Sequence, residues 1–332
     1  MKAIALLSGG LDSTLAVKVI LEQGIEVEAL NFISPFCTCS PKSSGCLISK
    51  QVAEELGITL QVENVSREYL DIVKHPQYGY GKNLNPCIDC RIFMFKKAAE
   101  YMRRRGASFI ITGEVLGERP MSQRRDAMYI IERDAFLKGL IVRPLSAKLL
   151  PLSIPEKEGW IDREKLLDIQ GRSRKPQMAL AQRWDIKGYA CPAGGCLLTD
   201  PVFARRLKDL MNDSMDFTLN DVHLLKIGRH LRLSKKAKAI MGRDEKENKK
   251  LMTFVENGDV VIKKNSLPGP ITIVKGEAGE HIKRLAASIT AAYGKGTHLD
   301  SIEVRMNKIP EDKEDTLLVR PYPQEEIKSF LV

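Results

Sequence analysis

The sequence lacks a long apolar run, since no stretch approaches the ~20 consecutive apolar residues that a membrane-spanning helix needs. The short apolar run at the amino terminus is interrupted by Gly9 and Gly10, too early for a signal peptide. We therefore expect a cytoplasmic protein without a membrane partner. Its seven cysteines are then thiols, metal ligands or catalytic groups rather than a structural disulfide framework.

Acidic residues are in deficit: 42 Asp and Glu stand against 52 Lys and Arg, for a formal net charge of +10. This excess favours a polyanionic partner, with nucleic acid as the first candidate, although a basic enzyme without such a partner stays open. Hydrophobic residues make up 43% and charged residues 28% of the chain, a balance that excludes a disordered protein. Internal repeats and low-complexity segments are also missing.

Strand-like and helix-like runs alternate in the first half of the chain, which predicts an α/β fold with a doubly wound parallel sheet. The predicted strands cover 2–7, 25–32, 58–65, 107–112 and 140–142, and the predicted helices cover 12–23, 47–56 and 90–105. After Pro201 the order becomes α+β, with 221–242 predicted as two strands around a basic turn. We therefore predict two domains, 1–200 and a smaller α+β domain at 215–332.

The string "SGGLDST" occupies residues 8–14, directly after the first predicted strand. Gly9 and Gly10 allow a sharp turn and the close approach of an anion, and the helix that follows favours negative charge at its amino terminus. Ser8 and Ser13 add hydroxyl donors, while Asp12 suits a helix cap or a Mg²⁺ ligand. The pattern predicts a nucleotide-phosphate site; a plain strand-to-helix turn is the alternative.

This string resembles the PP-loop signature of the adenine nucleotide alpha-hydrolase superfamily, and no Walker string G-x-x-x-x-G-K-[ST] occurs in the chain. Members of that superfamily cleave ATP between its α and β phosphates, adenylate a substrate oxygen and release pyrophosphate. The resemblance implies ATP and Mg²⁺ as cofactors, with Asp12 also catalytic. The implied ATP-binding residues are Ser8, Gly9, Gly10, Asp12, Ser13 and Thr14.

A second string, "TGEVLGERPMSQ" at 112–123, follows a predicted strand and resembles the T-G-E-x-L-G-x-x-x-S-Q motif of the ThiI-type tRNA 4-thiouridine synthetases. The resemblance implies that Gly113 and Glu114 lie near the nucleotide and that Ser122 and Gln123 line its pocket. A loop with incidental glycines is the alternative. We expect no counterpart here of that family's amino-terminal RNA-binding module and rhodanese domain, so tRNA docking and the sulfur donor need another source.

The cysteines fall into three groups, of which Cys87 and Cys90 form a C-x-x-C pair and Cys191 and Cys196 lie far along the chain. The spacing alone leaves zinc, cluster and dithiol interpretations open. The segment "NPCIDC" resembles the P-C-x-x-C segment of the tRNA 2-thiouridylases. In cluster-dependent tRNA thiolases, three such cysteines hold a 4Fe-4S cluster whose fourth iron is open to sulfide. That resemblance implies Cys87, Cys90 and Cys196 as metal ligands and catalytic residues. Cys191 is the alternative to Cys196 as the third ligand.

Other uses of these thiols stay open. Cys87 and Cys196 could instead carry and resolve a persulfide, and a structural zinc site is a third interpretation. The implied sulfur donor is inorganic sulfide or a cysteine desulfurase. The third group, Cys37, Cys39 and Cys46, could bind metal, receive sulfur or serve as small core residues.

Two basic segments suit phosphate contacts. A solvated loop explains the first equally well, and a solvated helix start is the alternative for the second. The first supplies Arg172, Arg174 and Lys175. The second, at 226–251, resembles the NFACT-R type of RNA-binding domain, which implies a tRNA-binding module. Its predicted RNA-binding residues are Arg229, Arg232, Lys235 and Lys236.

Together, the resemblances imply a tRNA sulfurtransferase that adenylates a uridine carbonyl oxygen and replaces it with sulfur, with 4-thiouridine favoured. A persulfide-dependent tRNA 2-thiouridylase and an ATP-dependent RNA-amidating or lysidine-forming enzyme are alternatives. A non-enzymatic RNA-binding sensor is another. The sequence leaves the oligomeric state unknown.

Overall fold

A computed structural model describes residues 1–37, 45–186, 189, 196–311 and 313–332. The chain divides into two compact units, Met1–Thr199 and Asp200–Val332. Among the described residues, no helix is both long and apolar enough to cross a membrane.

The first unit contains a five-stranded sheet in which every pairing is parallel, with the strand order β3-β2-β1-β4-β5. Its strands are β1 (Lys2–Leu6), β2 (Glu26–Ile33), β3 (Leu60–Asn64), β4 (Phe109–Thr112) and β5 (Ile141–Val142). Its helices are α1 (Leu11–Leu21), α2 (Gly45–Glu55), α3 (Ser66–Lys74), α4 (Cys87–Arg104), α5 (Arg125–Asp134), α6 (Ile154–Lys157) and α7 (Lys175–Arg183).

Helices cover both faces of this sheet because the central strand β1 is apolar on both sides. Ala3 and Ala5 belong to the core cluster that contains α1, whereas Ile4 between them belongs to the cluster that contains Phe95 of α4. Successive strand residues point to opposite faces, so a continuous apolar run is what a doubly covered parallel strand requires. The predicted α/β class is confirmed.

The second unit is built on a six-stranded antiparallel sheet with the order β11-β10-β8-β9-β7-β6. Its strands are β6 (Arg229–Ser234), β7 (Ala237–Met241), β8 (Val260–Lys264), β9 (Thr272–Gly276), β10 (Ile302–Lys308) and β11 (Glu314–Val319). Its helices are α8 (Pro201–Asp213), α9 (Leu219–Leu224), α10 (Glu245–Met252), α11 (Glu280–Ala291) and α12 (Gln324–Ile327).

Local structure departs from the sequence-based expectations at several helices, of which α9, α3 and α5 are examples. The segment 221–242 forms β6 and β7 as predicted, but its first residues belong to α9, where Thr218 and Asp221 form a capping box. Helices α3 and α5 were not expected. Each buries only three residues, so the apolar pattern is short.

Candidate active site

The strand order reverses between β1 and β4, and open parallel sheets bind ligands at the carboxyl ends of the strands beside such a reversal. Residues 8–10, called here the glycine loop, follow β1, and residues 113–124, the motif loop, follow β4. Because β1 and β4 pair directly, the two sequence motifs emerge side by side at this edge.

The glycine loop turns the chain from β1 into α1 and approaches α2 closely. Gly9 has a φ of 75°, and a Cβ at this position would lie 2.8 Å from the backbone nitrogen of Ser49. A side chain would therefore be strained by both its conformation and its neighbour. Gly10 is the N-cap of α1 and has no side chain to cap the helix, which leaves the positive end of the helix open to an anion.

Two hydroxyl groups fix the shape of this turn from inside. Ser13 donates a hydrogen bond to the Gly10 carbonyl oxygen at 2.8 Å, and Thr14 donates to the same oxygen at 3.0 Å. Ser13 and Thr14 are buried, whereas Ser8 is exposed with its Oγ 3.1 Å from that of Ser13. Ser8 is therefore the member of the trio whose hydroxyl group faces solvent.

The end of β4 presses against the start of α1. A Cβ at Gly113 would lie 2.4 Å from the backbone nitrogen of Ser13. The next residue, Glu114, is fully buried and forms ion pairs with Arg91 at 3.1 Å and Arg143 at 3.0 Å. The Glu114 carboxylate is thus compensated by two guanidinium groups, and it orients Arg91.

The motif loop is folded back on itself by the side chain of Gln123. The Arg119 backbone nitrogen donates to Gln123 Oε1 at 3.0 Å, and the Gly117 backbone nitrogen donates to the Gln123 carbonyl oxygen at 2.7 Å. Ser122 and Gln123 are both buried. They support the loop from inside, while Arg119 at its tip is exposed.

Asp12, in the first turn of α1, lies beside Arg174 and near polar side chains of the motif loop and α7. Its Oδ2 is 3.7 Å from Nη2 of Arg174, and the buried Gln177 also interacts with it. Burial raises the pKa of Asp12, and the positive charges of Arg174 and Arg119 offset this only in part. Within the described part of the chain, Asp12 Oδ1 and Arg174 Nε are buried without a hydrogen-bond partner, so the pocket holds polar atoms that a ligand can satisfy.

Three predicted cysteines come together from two distant segments, and we call Cys87, Cys90 and Cys196 the thiol cluster. Cys87 and Cys90 lie in the first turn of α4, and Cys196 precedes a short 3-10 helix at Leu197–Thr199. All three thiols are free and half-buried. Each of them interacts electrostatically with Tyr69 of α3, and Tyr69 and Cys90 are also hydrogen-bonded.

Burial raises the pKa of all three thiols, and that of Cys196 reaches about 12. Arg91 counteracts this effect at Cys87 and Cys90, and Arg119 does so at Cys87. Without a further positive charge, these groups are therefore thiols rather than thiolates near neutral pH.

Arg119 connects the thiol cluster to the glycine loop, since its charge acts on both Asp12 and Cys87. The motif loop also touches the segment that precedes α4, because a Cβ at Gly81 would lie 2.3 Å from the Met121 sulfur. The motif loop is therefore in contact both with the start of α1, through Gly113, and with the segment that precedes the C-x-x-C pair, through Met121.

Cys37 adjoins the thiol cluster. It forms an isolated antiparallel bridge with Cys196, and it interacts electrostatically with Cys90 and Cys196. Cys39 and Cys191 lie outside the described residues, as does the side chain of Cys46. Across the residues that are described, no three His, Cys, Asp or Glu side chains are arranged to hold a single metal ion.

The first predicted RNA-binding segment lies beside the motif loop, and its Arg174 lies beside Asp12. Gln170 forms a parallel bridge with Leu116 of the motif loop, which brings the residues that follow it alongside. Arg174 is half-buried beside Asp12, whereas Arg172 and Lys175 are exposed.

Most of the predicted RNA-binding side chains in the second unit already have partners. Arg232 donates to both carboxylate oxygens of Asp209, at 2.9 and 2.8 Å. Lys236 pairs with Glu277 at 2.7 Å, and Arg229 lies over the Tyr293 ring at 4.8 Å. Lys235 is exposed in the turn between β6 and β7.

Two family models match separate parts of the chain. Residues 1–148 match the model described as thiamine biosynthesis protein (ThiI), and residues 228–331 match the NFACT protein RNA binding domain. The chain carries a ThiI domain and an NFACT-R domain. The resemblances to the ThiI-type enzymes and to the NFACT-R domain are thereby confirmed.

Some curated relatives match more of the chain than the ThiI model does. The tRNA-specific 2-thiouridylase MnmA of Pseudomonas fluorescens (strain Pf0-1) is 25% identical over 225 residues, which cover 63% of this chain and 55% of that protein. MnmA of Coxiella burnetii (strain Dugway 5J108-111) is 33% identical over 118 residues, or 32% of each protein. The chain thus spans little more than half the length of the first of these relatives.

A solved structure described as a 4-thiouridine synthetase–RNA complex with bound ATP is also similar. It has a TM-score of 0.40 and 20% identity, and the match covers 67% of this chain and 53% of that one.

Several residues of the candidate site were not identified from the sequence. Arg119 lies inside the quoted motif string, at a position that the motif leaves variable. Arg91 follows the C-x-x-C pair directly, so its nearness to the thiols was a usable signal. Gln177 interacts with Asp12, and Tyr69 interacts with the thiols. Both interactions depend on tertiary packing, which no local sequence pattern predicts.

Proposed function

We propose that this protein is an ATP-dependent tRNA thiolation enzyme, which adenylates a uridine carbonyl oxygen at the glycine loop and replaces it with sulfur from the thiol cluster. The observation that carries the proposal is the position of the motif loop, in which Gly113 lies against the start of α1 and Met121 lies against the segment that precedes the C-x-x-C pair. Activation and sulfur transfer at one carbon need the nucleotide and the thiols in the same site. The ThiI match and the tRNA-specific relatives support the same chemistry.

The glycine loop and the helix α1 are suited to bind ATP phosphates. Backbone amides at Gly9 and Gly10 and the exposed hydroxyl of Ser8 would contact the pyrophosphate portion, with Arg174 as an additional cation. Asp12 fits a Mg²⁺ ligand because its Oδ1 is buried and has no hydrogen-bond partner within the described part of the chain. A bound Mg²⁺ would neutralise phosphate charge as pyrophosphate leaves.

The thiol cluster suits an iron–sulfur cluster better than a single metal ion. Its donors are three half-buried sulfur atoms, and their raised pKa values mean that a bound cation is needed to keep them as thiolates. In an iron–sulfur cluster each sulfur ligand binds a different iron atom, so the three sulfur atoms need not converge on one point. A single metal ion would require such convergence, which the described residues do not show. Cys87, Cys90 and Cys196 would hold a 4Fe-4S cluster, which supplies an open iron for sulfide.

The NFACT-R domain would bind the tRNA through its phosphates, consistent with the chain's net charge of +10. Lys235 is the predicted residue best placed for such contacts, since it is exposed. In the first unit, Arg172 and Lys175 are exposed and Arg174 faces Asp12. We therefore propose RNA contacts for Arg172 and Lys175 and a nucleotide contact for Arg174.

The thiolated position distinguishes two versions of the proposal. The motif loop, with its buried Ser122 and Gln123, supports 4-thiouridine through its resemblance to the 4-thiouridine synthetases. The curated relatives are described as tRNA-specific 2-thiouridylases, which supports 2-thiouridine as the second candidate. In that second version, Cys87 and Cys196 would transfer sulfur as a persulfide.

The test is an anaerobic reaction of the full chain with ATP, Mg²⁺, sodium sulfide and tRNA lacking thiouridines. Digested tRNA is analysed by mass spectrometry for 4-thiouridine and 2-thiouridine, and pyrophosphate release is measured in parallel. We expect 4-thiouridine in the wild type and none in Asp12→Asn or Cys87→Ala, with Asp162→Asn as an exposed control. In a parallel reaction with ammonium or lysine in place of sulfide, ATP- and tRNA-dependent incorporation of nitrogen would instead support the amidating alternative. No pyrophosphate release in either reaction would contradict both.

A further inference from the structure

Cys37 and Cys196 face each other across an isolated antiparallel bridge, although they lie far apart in the sequence. The Leu197 backbone nitrogen donates to the Phe36 carbonyl oxygen at 2.8 Å, so the hydrogen bond flanks the cysteine pair instead of joining it. This identifies Cys37 and Cys196 as a non-hydrogen-bonded pair. In such pairs the Cα atoms are about 4.5 Å apart and the side chains are at their closest.

That spacing is compatible with a disulfide. Cα atoms of disulfide-bonded cysteines are typically about 4.4–6.8 Å apart, and the spacing of about 4.5 Å that is usual for a non-hydrogen-bonded pair falls within this range. Both cysteines are free and half-buried, and Cys37 Sγ lies 3.5 Å from Ser34 Oγ. The backbone holds the pair together even when the sulfur atoms are not bonded.

We propose that Cys37 and Cys196 form a reversible disulfide that withdraws Cys196 from the thiol cluster. In thiol–disulfide exchange, one of the two sulfurs attacks an oxidised low-molecular-weight disulfide and releases one thiol. The other sulfur then attacks this mixed disulfide and releases the second thiol. The two cysteines lose two electrons and two protons, the external disulfide gains them, and a reduced thiol reverses both steps.

The consequence for sulfur transfer rests on the proposed function, whereas the disulfide itself does not. Cys196 is one of the three proposed sulfur ligands, so its oxidation leaves Cys87 and Cys90 alone in the first turn of α4. Two thiols cannot complete the three-ligand set. Cys37 would therefore connect the redox state of the cell to the loading of the site.

The disulfide is tested by equilibrating the full chain, free of iron, in glutathione buffers of increasing oxidised fraction. After acid quenching and alkylation, protease digestion and mass spectrometry identify the linked peptides. We expect a Cys37–Cys196 peptide that disappears on reduction, is missing from Cys37→Ser and persists in Cys87→Ser. A dominant Cys87–Cys90 link, or a pairing with Cys39 or Cys191, would overturn the proposal, as would full alkylation of Cys196 throughout.

The consequence is tested separately by cluster reconstitution of oxidised and reduced protein, with iron and sulfide counted per chain. We expect oxidised wild type to bind little iron and to recover on reduction, whereas Cys37→Ser binds iron after either treatment. Equal iron binding by oxidised and reduced wild type would overturn the regulatory role. If the disulfide forms but reduced protein neither binds iron nor thiolates tRNA, the proposed function fails and the disulfide stands.

Discussion

Gly113 lies directly against Ser13, since a Cβ on Gly113 would be 2.4 Å from the Ser13 backbone nitrogen. The end of β4 and the start of α1 can approach this closely only because position 113 has no side chain. The contact fixes the start of the motif loop relative to the first turn of α1.

We expect Gly113→Ala to destabilise the protein by about 1–3 kcal/mol, because the added methyl group must push backbone apart. Thiolation should fall by about 100-fold, since the displaced backbone is the first turn of α1, next to the glycine loop. Gly279→Ala is the control, because a Cβ there meets no atom within 4 Å. Chemical denaturation and the tRNA assay measure the two effects. Equal stability of Gly113→Ala and wild type would contradict the close contact.

Substitution of Asp12 distinguishes a functional role of this side chain from a structural one. Because burial raises its pKa, the charged form is disfavoured in the folded state, and stability should fall as pH rises through that pKa. Asp12→Asn should therefore unfold at the same denaturant concentration as wild type near neutral pH, or a higher one, and it should lack this pH dependence. Its thiolation activity should nevertheless drop by about 100-fold or more. A marked loss of stability would instead indicate a structural role.

The pKa of Glu28 is shifted in the opposite direction from that of Asp12. Burial would raise its pKa, but hydrogen bonds from Tyr101, Lys2 and Arg105 outweigh this effect and lower the pKa to about 2. The carboxylate therefore stabilises the fold above its ordinary pKa of 4.5, and this contribution is lost as pH falls towards 2.

Glu28→Gln should accordingly cost about 2 kcal/mol at pH 7, and the difference from wild type should shrink between pH 4.5 and 2. Denaturant unfolding across this pH range measures it. Glu54→Gln is the matched control, because Glu54 is exposed and only 3.9 Å from the exposed Lys50. A pH-independent difference would mean that packing, not charge, stabilises the fold at this position.

In the NFACT-R domain, Arg232 and Lys235 are predicted to behave differently despite being three positions apart. Arg232 binds Asp209 through two hydrogen bonds, so Arg232→Ala should lower stability by about 1–3 kcal/mol. Lys235→Ala should leave stability unchanged, weaken tRNA binding and reduce the slope of log affinity against log salt by about 1. Unfolding curves and salt-dependent filter binding test both. An unchanged salt slope in Lys235→Ala would remove Lys235 from the RNA surface.

The sequence patterns predicted those parts of the site that are local in the chain. β1, α1 and the glycine loop between them follow from an apolar run, two glycines and a helix start, all within residues 2–21. The contact of Arg174 with Asp12 depends instead on the bridge between Leu116 and Gln170, and that of Cys37 with Cys196 on a single pairing of distant segments. Such contacts depend on tertiary packing, which periodicity and spacing do not encode.

Arg119 is the residue on which a shared site depends, so its removal should affect both halves of the chemistry. Its positive charge lowers the pKa values of Asp12 and Cys87, and Arg119→Ala should therefore raise both. At a fixed pH near 8, Cys87 should then be alkylated more slowly, because less of it is thiolate. The KM for ATP should also rise. Arg125→Ala, on the exposed start of α5, serves as the control for loss of one positive charge. An alkylation rate at Cys87 that is the same in both variants would mean that Arg119 does not act on the thiol, and the connection between nucleotide loop and thiol cluster would be lost.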